Sequence, residues 1–333
     1  MVDNLHNPMN EPRYCGIPTF MRTPHVTDLN NLDIALVGVP YDGAVEARSG
    51  ARHGPRQIRD MSSMMRAIHH VTRINPYELC RIADVGDVHF SQIFDIEASH
   101  ADITGFYERL HSLGIVPLSA GGDHSITLPI MRAIAADHPV GMVHVDAHTD
   151  CCDEEMNSKY SHGTPFRRAV EEGILDPKRT IQIGIRGAAN SDECWTFGPN
   201  HGIRIVYIEE FNKLGVEKVI AEARRVVGEG PTYISFDIDS IDPAFAPGTG
   251  TPEIGGITTI EAQGLIRGLR GLNIVGADVV EVSPPFDPSG NTALIAATIM
   301  YEILCIVAER IISKSKTRYT EIRMWSLFFI FNL

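Results

Sequence analysis

The sequence predicts an α/β fold, with three layers (α/β/α) built on a doubly wound, mainly parallel sheet. Three observations predict it. Apolar runs of strand length recur along the 333 residues, segments with helical period separate several of them, and the runs often end in Gly, Asp or Pro. Strands covered by helices on both faces read as continuous β-branched runs, and their alternation with helices builds βαβ units.

The predicted strands are "DIALVGVP" (33–40), "IVPLSAGGD" (115–123), "GMVHVDAH" (141–148), "TIQIGIRG" (180–187), "TYISFDID" (232–239) and "IVGADVVEV" (274–282). Apolar residues at helical spacing mark "LPIMRAIAADH" (128–138), "VEKVIAEARRVV" (216–227) and "TIEAQGLIRGL" (259–269). "TALIAATIMYEILCIVAERII" (292–312) predicts a long, largely buried closing helix. No internal repeat or linker divides the chain, so residues 1–312 are expected to form one domain. Residues 313–333 form a C-terminal tail: a basic, polar stretch, then "MWSLFFIFNL", which is too short to span a bilayer. No catalytic role is assigned to it.

With 44% hydrophobic and 21% charged residues, the composition suits an ordinary soluble globule. A net charge of −13 argues against nucleic acid or an anionic membrane as the main partner. The N-terminal "MVDNLHNPMN" lacks the basic and apolar regions of a signal peptide. Cysteines stand at 15, 80, 151, 152, 194 and 305, too few for a disulfide scaffold. A reducing, cytoplasmic setting is therefore expected.

Open parallel sheets bind ligands beyond the carboxyl ends of their strands. The polar residues of interest fall there: His124 after "PLSAGGD", Asp146, His148 and Asp150 after "GMVHV", Asp237 and Asp239 after "TYISF", and Glu281 after "GADVV". Spacing of i, i+2 and i+4 turns side chains to one face of a strand. Each motif has a plainer reading. D-x-H-x-D can be a turn, Asp237–Asp239 can cap a loop, and His124 can be a satisfied core histidine. Their convergence on the strand ends of one sheet favours a metal site. Imidazoles with several carboxylates suit Mn, Ni, Fe or Zn rather than Ca or Mg alone. Six ligands exceed one tetrahedral ion, whereas two divalent ions about 3.5–4 Å apart would share bridging carboxylates. Four carboxylates would then balance two divalent charges.

At these residues the sequence resembles the ureohydrolase family, which includes arginase, agmatinase and the guanidino-acid amidinohydrolases. The matching blocks are "GGDHS" (121–125), "DAHTD" (146–150), "HGTPFRRAVEEG" (162–173), "SFDIDSIDPAFAPGTGTPEIGG" (235–256) and "VEVSPPFD" (280–287). The resemblance spans roughly residues 10–312. "EPRYCGIPTFMR" and "MRAIHHVTRI" resemble the guanidinopropionase and guanidinobutyrase branch. The resemblance implies an arginase-like fold with one ion held by His124, Asp146, Asp150 and Asp237. It implies a second ion held by Asp146, His148, Asp237 and Asp239, with manganese or nickel as the metal. It further implies a metal-bridging hydroxide that attacks a guanidinium carbon and releases urea and an amine. Glu281 matches the guanidinium-binding glutamate and His162 the proton shuttle, with Asp150 also in the catalytic set. The resemblance implies a hexamer; a trimer, or a mixed oligomer with a related subunit, is the alternative assembly.

The substrate loops depart from the family. Where the family pattern is close to G-T-x-N-R-x-G-A-R-x-G-P, this chain reads "GAVEARSGARHGP" (43–55), with Ala47 at the usual Asn. After "DAHTD", guanidino-acid enzymes usually carry Thr–Asn; here Cys151–Cys152 follow. Ala47 and Cys152 predict a less polar pocket, and Glu46, Asp153, Glu154 and Glu155 an acidic mouth. Both cysteines are read as substrate wall rather than nucleophile or ligand, with Met156 and Tyr160 in the same loop. The leading expectation is hydrolysis of 3-guanidinopropionate or 4-guanidinobutanoate, with Arg22, Arg48 or Arg186 holding the carboxylate. The alternative is an alkyl-guanidine or biguanide such as metformin, yielding guanylurea and dimethylamine. A non-catalytic partner subunit is the reading from another class.

Overall fold

A computed structural model describes residues 10–330, with side chains described as far as Ser313. The expected tail, 313–333, thus has no described side chain after its first residue, and 331–333 lie outside the described residues.

Eight strands form one sheet: β1 (Ile34–Val39), β2 (Ile82–Asp87), β3 (Val116–Gly121), β4 (Val140–Val145), β5 (Leu175–Ile185), β6 (Arg204–Tyr207), β7 (Thr232–Asp237) and β8 (Ile274–Val280). The order is β2-β1-β3-β8-β7-β4-β5-β6, and each pairing is parallel. The helices are α1 (Gly54–Ser62), α2 (Pro76–Leu79), α3 (Ile96–Ser112), α4 (Thr127–Ile134), α5 (Pro165–Glu171), α6 (Glu193–His201), α7 (Ile208–Leu214), α8 (Val216–Val227), α9 (Thr259–Gly268) and α10 (Asn291–Ile330).

Period-2 alternation along the strands feeds two apolar cores. Ile34 and Leu36 of β1 join Ile58 of α1, Val219 of α8, Leu265 of α9 and Met300 of α10. Ala35, Val37 and Val39 turn the other way, toward Ile103 and Tyr107 of α3, Ile130 of α4 and Phe166 of α5. That is the three-layer, doubly wound arrangement. The segment Asn291–Ser313 of α10 has the length and mean hydropathy (1.8) of a bilayer span, but 78% of its most apolar window is buried in the fold. Its apolar character is accounted for by packing on α1 and α9.

The six strands read from the sequence are β1, β3, β4, β5, β7 and β8. The two strands that sequence reasoning missed, β2 and β6, are the edges. An edge strand is covered on fewer sides, so its apolar signal is shorter: "IADVGD" ends exposed, and "RIVY" has only four residues.

The crossover decides where a site can form. β3 and β4 are consecutive in sequence yet separated by β8 and β7. The carboxyl ends of these four central strands therefore share one crevice, and each delivers one of the polar motifs.

Candidate active site

His124 opens a short 3-10 turn after β3, capped by the Asp123 side chain on Ser125 N–H. It is buried, with Nδ1 2.9 Å from Asp150 Oδ2, 3.1 Å from Asp237 Oδ2 and 3.2 Å from Asp146 Oδ2. Its Nε2 lies 2.8 Å from Ser235 Oγ, whose hydroxyl donates to Asp278 at 2.7 Å. A hydroxyl that gives its hydrogen to a carboxylate can only accept from the ring. Nε2 therefore carries a proton, and on the neutral ring Nδ1 presents a lone pair to three carboxylates. Nδ1 has no well-aligned hydrogen-bond partner. One nitrogen and three carboxylate oxygens converge without a cation, the donor set that a divalent ion satisfies.

The second cluster shares Asp146. His148 Nδ1 lies 3.1 Å from Asp239 Oδ2 and 3.5 Å from Asp146 Oδ1. Asp146, His148 and Asp239 could hold a metal ion, as could His124, His144, Asp146 and Asp150. The electrostatics match crowded anions. Burial, then the charges of Asp239 and Asp146, hold the Asp237 carboxyl well above its usual range. Burial and Asp146 likewise raise Asp150 and Asp239. Burial opposes charge on His124, yet the carboxylates of Asp146, Asp150 and Asp237 gathered around Nδ1 raise its pKa well above the ordinary value. A proton or a metal ion must neutralise this cluster, and a metal ion displaces the proton.

Glu281 follows β8 with φ 64°, and Asp150 has φ 51°. Side chains rarely adopt this left-handed region, and strain of about 1–3 kcal/mol at such residues is held by the surroundings. Glu281 Oε1 accepts the His124 backbone N–H at 2.9 Å and lies 3.1 Å from His162 Nδ1. His162 Nε2 lies 3.2 Å from Glu46 Oε2. Burial opposes a proton on His162, but Glu281, Asp150 and Asp123 raise its pKa well above the usual value.

These residues face a cavity of about 430 Å³, with His148, Asp150, Asp237, Asp239, His162 and Glu281 at its floor. Glu46, Glu154, Glu155, Glu193 and Glu253 also line it, whereas none of its described lining residues is Lys or Arg.

The Arginase family model matches residues 32–305. The chain belongs to the arginase family. It is 59% identical over 299 residues to guanidinopropionase of Pseudomonas aeruginosa, covering 90% of this chain and 94% of that one. It is 50% identical to guanidinobutyrase of the same organism, covering 92% and 98%. Among solved structures, proclavaminate amidino hydrolase from Streptomyces clavuligerus superposes with TM-score 0.87 at 39% identity, covering 90% of this chain and all of that one. A hypothetical agmatinase from Burkholderia thailandensis gives 0.83 at 35% identity, covering 90% and 93%.

Within this arginase-family fold, His124, Asp146, His148, Asp150, Asp237, Asp239, His162 and Glu281 all come together. The expected substrate wall does not assemble as read. Cys151 is fully buried in the apolar core and lines no part of the cavity. Cys152 does face the cavity, but as a disulfide to Cys194 with Cα atoms 4.2 Å apart, tying its loop to α6. This pairing was not read from the sequence, because a contact across 42 residues leaves no local signal. Ala47 is exposed and lines no part of the cavity, since its loop turns outward after Glu46. Tyr160 lines a neighbouring cavity of about 370 Å³ and stacks edge-on with His100; Met156 borders both cavities.

The candidate carboxylate holders are also elsewhere. Arg186 donates to the carbonyls of Asp239, Ser240 and Glu253, Arg48 packs over Phe286, and Arg22 donates to the Glu11 carbonyl. Sequence reasoning missed His144, 2.7 Å from Asp146, although it stands two residues before that aspartate on the same strand face. The i, i+2 rule that found His148 would have found it.

Proposed function

We propose that this chain is a dinuclear-metal hydrolase that cleaves guanidino acids to urea and an amine. The observation that carries the reading is the convergence of His148, Asp150, Asp237 and Asp239 beside Glu281 on one cavity floor, with His124 and Asp146 buried directly against them. One ion would be held by His124, Asp146, Asp150 and Asp237, the other by Asp146, His148, Asp237 and Asp239. Two such ions, manganese or nickel, would supply Lewis acidity and would bring the pKa of a bound water toward neutrality.

The chain's own groups do the rest. Glu281 orients the guanidinium: one oxygen is engaged by His124 N–H and His162, and the other is outside those bonds. His162, whose raised pKa keeps it protonated, holds the proton that the departing amine needs. The names of the relatives at 59% and 50% identity support guanidinopropionate and guanidinobutyrate as substrates.

One observation favours a second reading of the substrate tail. Six glutamates, Glu281 among them, and no described Lys or Arg line the cavity, which suits an alkyl-guanidine or biguanide better than a carboxylate. Urea, guanylurea and amine release over a panel of guanidino acids, agmatine, arginine and biguanides, with Mn, Ni or Zn supplied, decides between them. Turnover of guanidino acids supports the first reading. Turnover confined to uncharged-tail substrates supports the second, and no turnover of any would sink both. The same proposal takes the enzyme to be a homo-oligomer of six or three chains; mass measurement in solution tests the assembly.

A further inference from the structure

Five polar side chains cross the centre of the sheet in register, just beneath the rim. Ser119 on β3 pairs with Asp278 on β8, Asp278 with Ser235 on β7, Ser235 with His144 on β4, and His144 with Gln182 on β5. All five are fully buried. Strands covered on both faces are ordinarily apolar, so a polar row needs a reason. At one end, Asp278 collects the hydroxyls of Ser235, Thr127 and Tyr233. The other end, Gln182 and His144, reaches the candidate metal floor.

Gln182 Nε2 lies 2.6 Å from the Thr149 carbonyl and 3.1 Å from His144 Nδ1. A carbonyl only accepts, so the amide must turn its NH2 toward Thr149. That nitrogen offers no lone pair, so its second hydrogen goes to His144 Nδ1, which must accept. The proton of the neutral ring then sits on Nε2, 2.7 Å from Asp146 Oδ2. Gln182 Oε1 is buried without a partner. Such atoms are rare, and this one marks the amide as placed for its N–H groups. Phe166 packs on both imidazoles, 4.4 Å from the His144 centroid and 5.2 Å from that of His124, and restrains their rotation.

We propose that His144, locked in one tautomer by Gln182, is a positioning residue that donates Nε2–H to Asp146 and is not itself a metal ligand. By distance alone His144 belongs with His124, Asp146 and Asp150 as a possible ligand. The hydrogen-bond chain removes it: Nε2 carries hydrogen where a ligand needs a lone pair, and Gln182 covers Nδ1. Asp146 then takes one N–H on each oxygen, from His144 on Oδ2 and from the His148 backbone on Oδ1 at 2.6 Å. Each oxygen keeps a lone-pair direction for a cation, and the carboxylate plane is fixed for bridging. The inference rests on the metal reading proposed above.

Three full-chain variants test it, read by metal content and by Mn²⁺ affinity in competition with a chelating dye. His144→Phe keeps an aromatic ring and removes the donor; about 10–100-fold weaker Mn²⁺ binding is expected, with two ions still bound at saturation. His144→Gln, whose amide nitrogen reaches the Nε2 position, is expected to recover most of that affinity. Gln182→Leu releases the tautomer and is expected to cost about tenfold. Unchanged affinity in His144→Phe overturns the proposal. So does loss of one ion at saturation in both His144 variants, which would make the ring a ligand. If His144→Phe does not fold, Gln182→Leu still decides, since unchanged affinity there removes the lock. A parent chain that binds no metal would instead sink the functional reading beneath it.

Discussion

The floor and the wall of the cavity are built differently. The floor stands on the carboxyl ends of four central strands, and its groups are fixed by register and by buried partners: His124 by Ser235, Asp146 by His144, Glu281 by the His124 N–H. The wall is loop and helix end, held by side-chain pairs and one disulfide, with Glu154 and Met156 exposed. A sheet spreads a fixed frame over residues far apart in sequence; a loop has only its own contacts. The floor should therefore set whether chemistry occurs, and the wall which substrate enters.

The largest expected effect is at the floor. Asp146→Ala or Asp237→Ala removes a carboxylate common to both proposed ions, and metal content and activity should fall together, by on the order of 10³-fold or more in turnover. Near-normal turnover in either variant would break the contrast at its strongest point. Glu281→Ala comes next. It should keep both metals and lose about 10²–10³-fold in turnover, because the guanidinium loses its orienting carboxylate. Metal loss in this variant would show that Glu281 supports the clusters rather than the substrate.

The same contrast explains what was legible in the sequence. Strand runs and the rule that ligands gather at strand ends sufficed to place His124, Asp146, His148, Asp150, Asp237, Asp239 and Glu281 on one rim, because strand register converts spacing into geometry. The edge strands β2 and β6 were silent for want of a continuous apolar run. His144 was hidden because one histidine inside "GMVHV" reads as core until Gln182 and Asp146 are seen beside it. The wall had no such rule. Whether Cys151 or Cys152 faces the cavity depends on the path of a loop that follows the left-handed Asp150, and the Cys152–Cys194 pairing on where α6 packs. No arginine identified from sequence reaches the cavity, because each is taken up by backbone carbonyls or an aromatic ring.

Smaller effects belong to the wall. Cys194→Ser, or a reductant, opens a closed loop of 42 residues and should lower stability by up to about 2–4 kcal/mol, read as a lower melting temperature. Because both cysteines line the cavity and neither is one of the floor groups, KM should change more than kcat. A fall in kcat with KM unchanged would show that the wall reaches the chemistry. An unchanged melting temperature would show that the link adds no stability.

The smallest effect lies outside both regions and calibrates them. Glu222 pairs with Arg225 and Arg204, and these bonds pull its pKa to about 2 despite partial burial. Its folded pKa is depressed, so its stabilisation is present above the ordinary value of 4.5 and is lost as pH falls toward about 2. Arg225 is exposed, so solvent screens the pair and the loss should be small. Glu222→Gln should slightly lower the melting temperature at pH 7 and leave it unchanged near pH 2. Metal content and turnover should match the parent, because the pair lies on α8 and β6, away from the four strand ends. A change in metal content would mean that the floor is not insulated from the surface, and the contrast between a rigid floor and a tunable wall would need a third, coupled region.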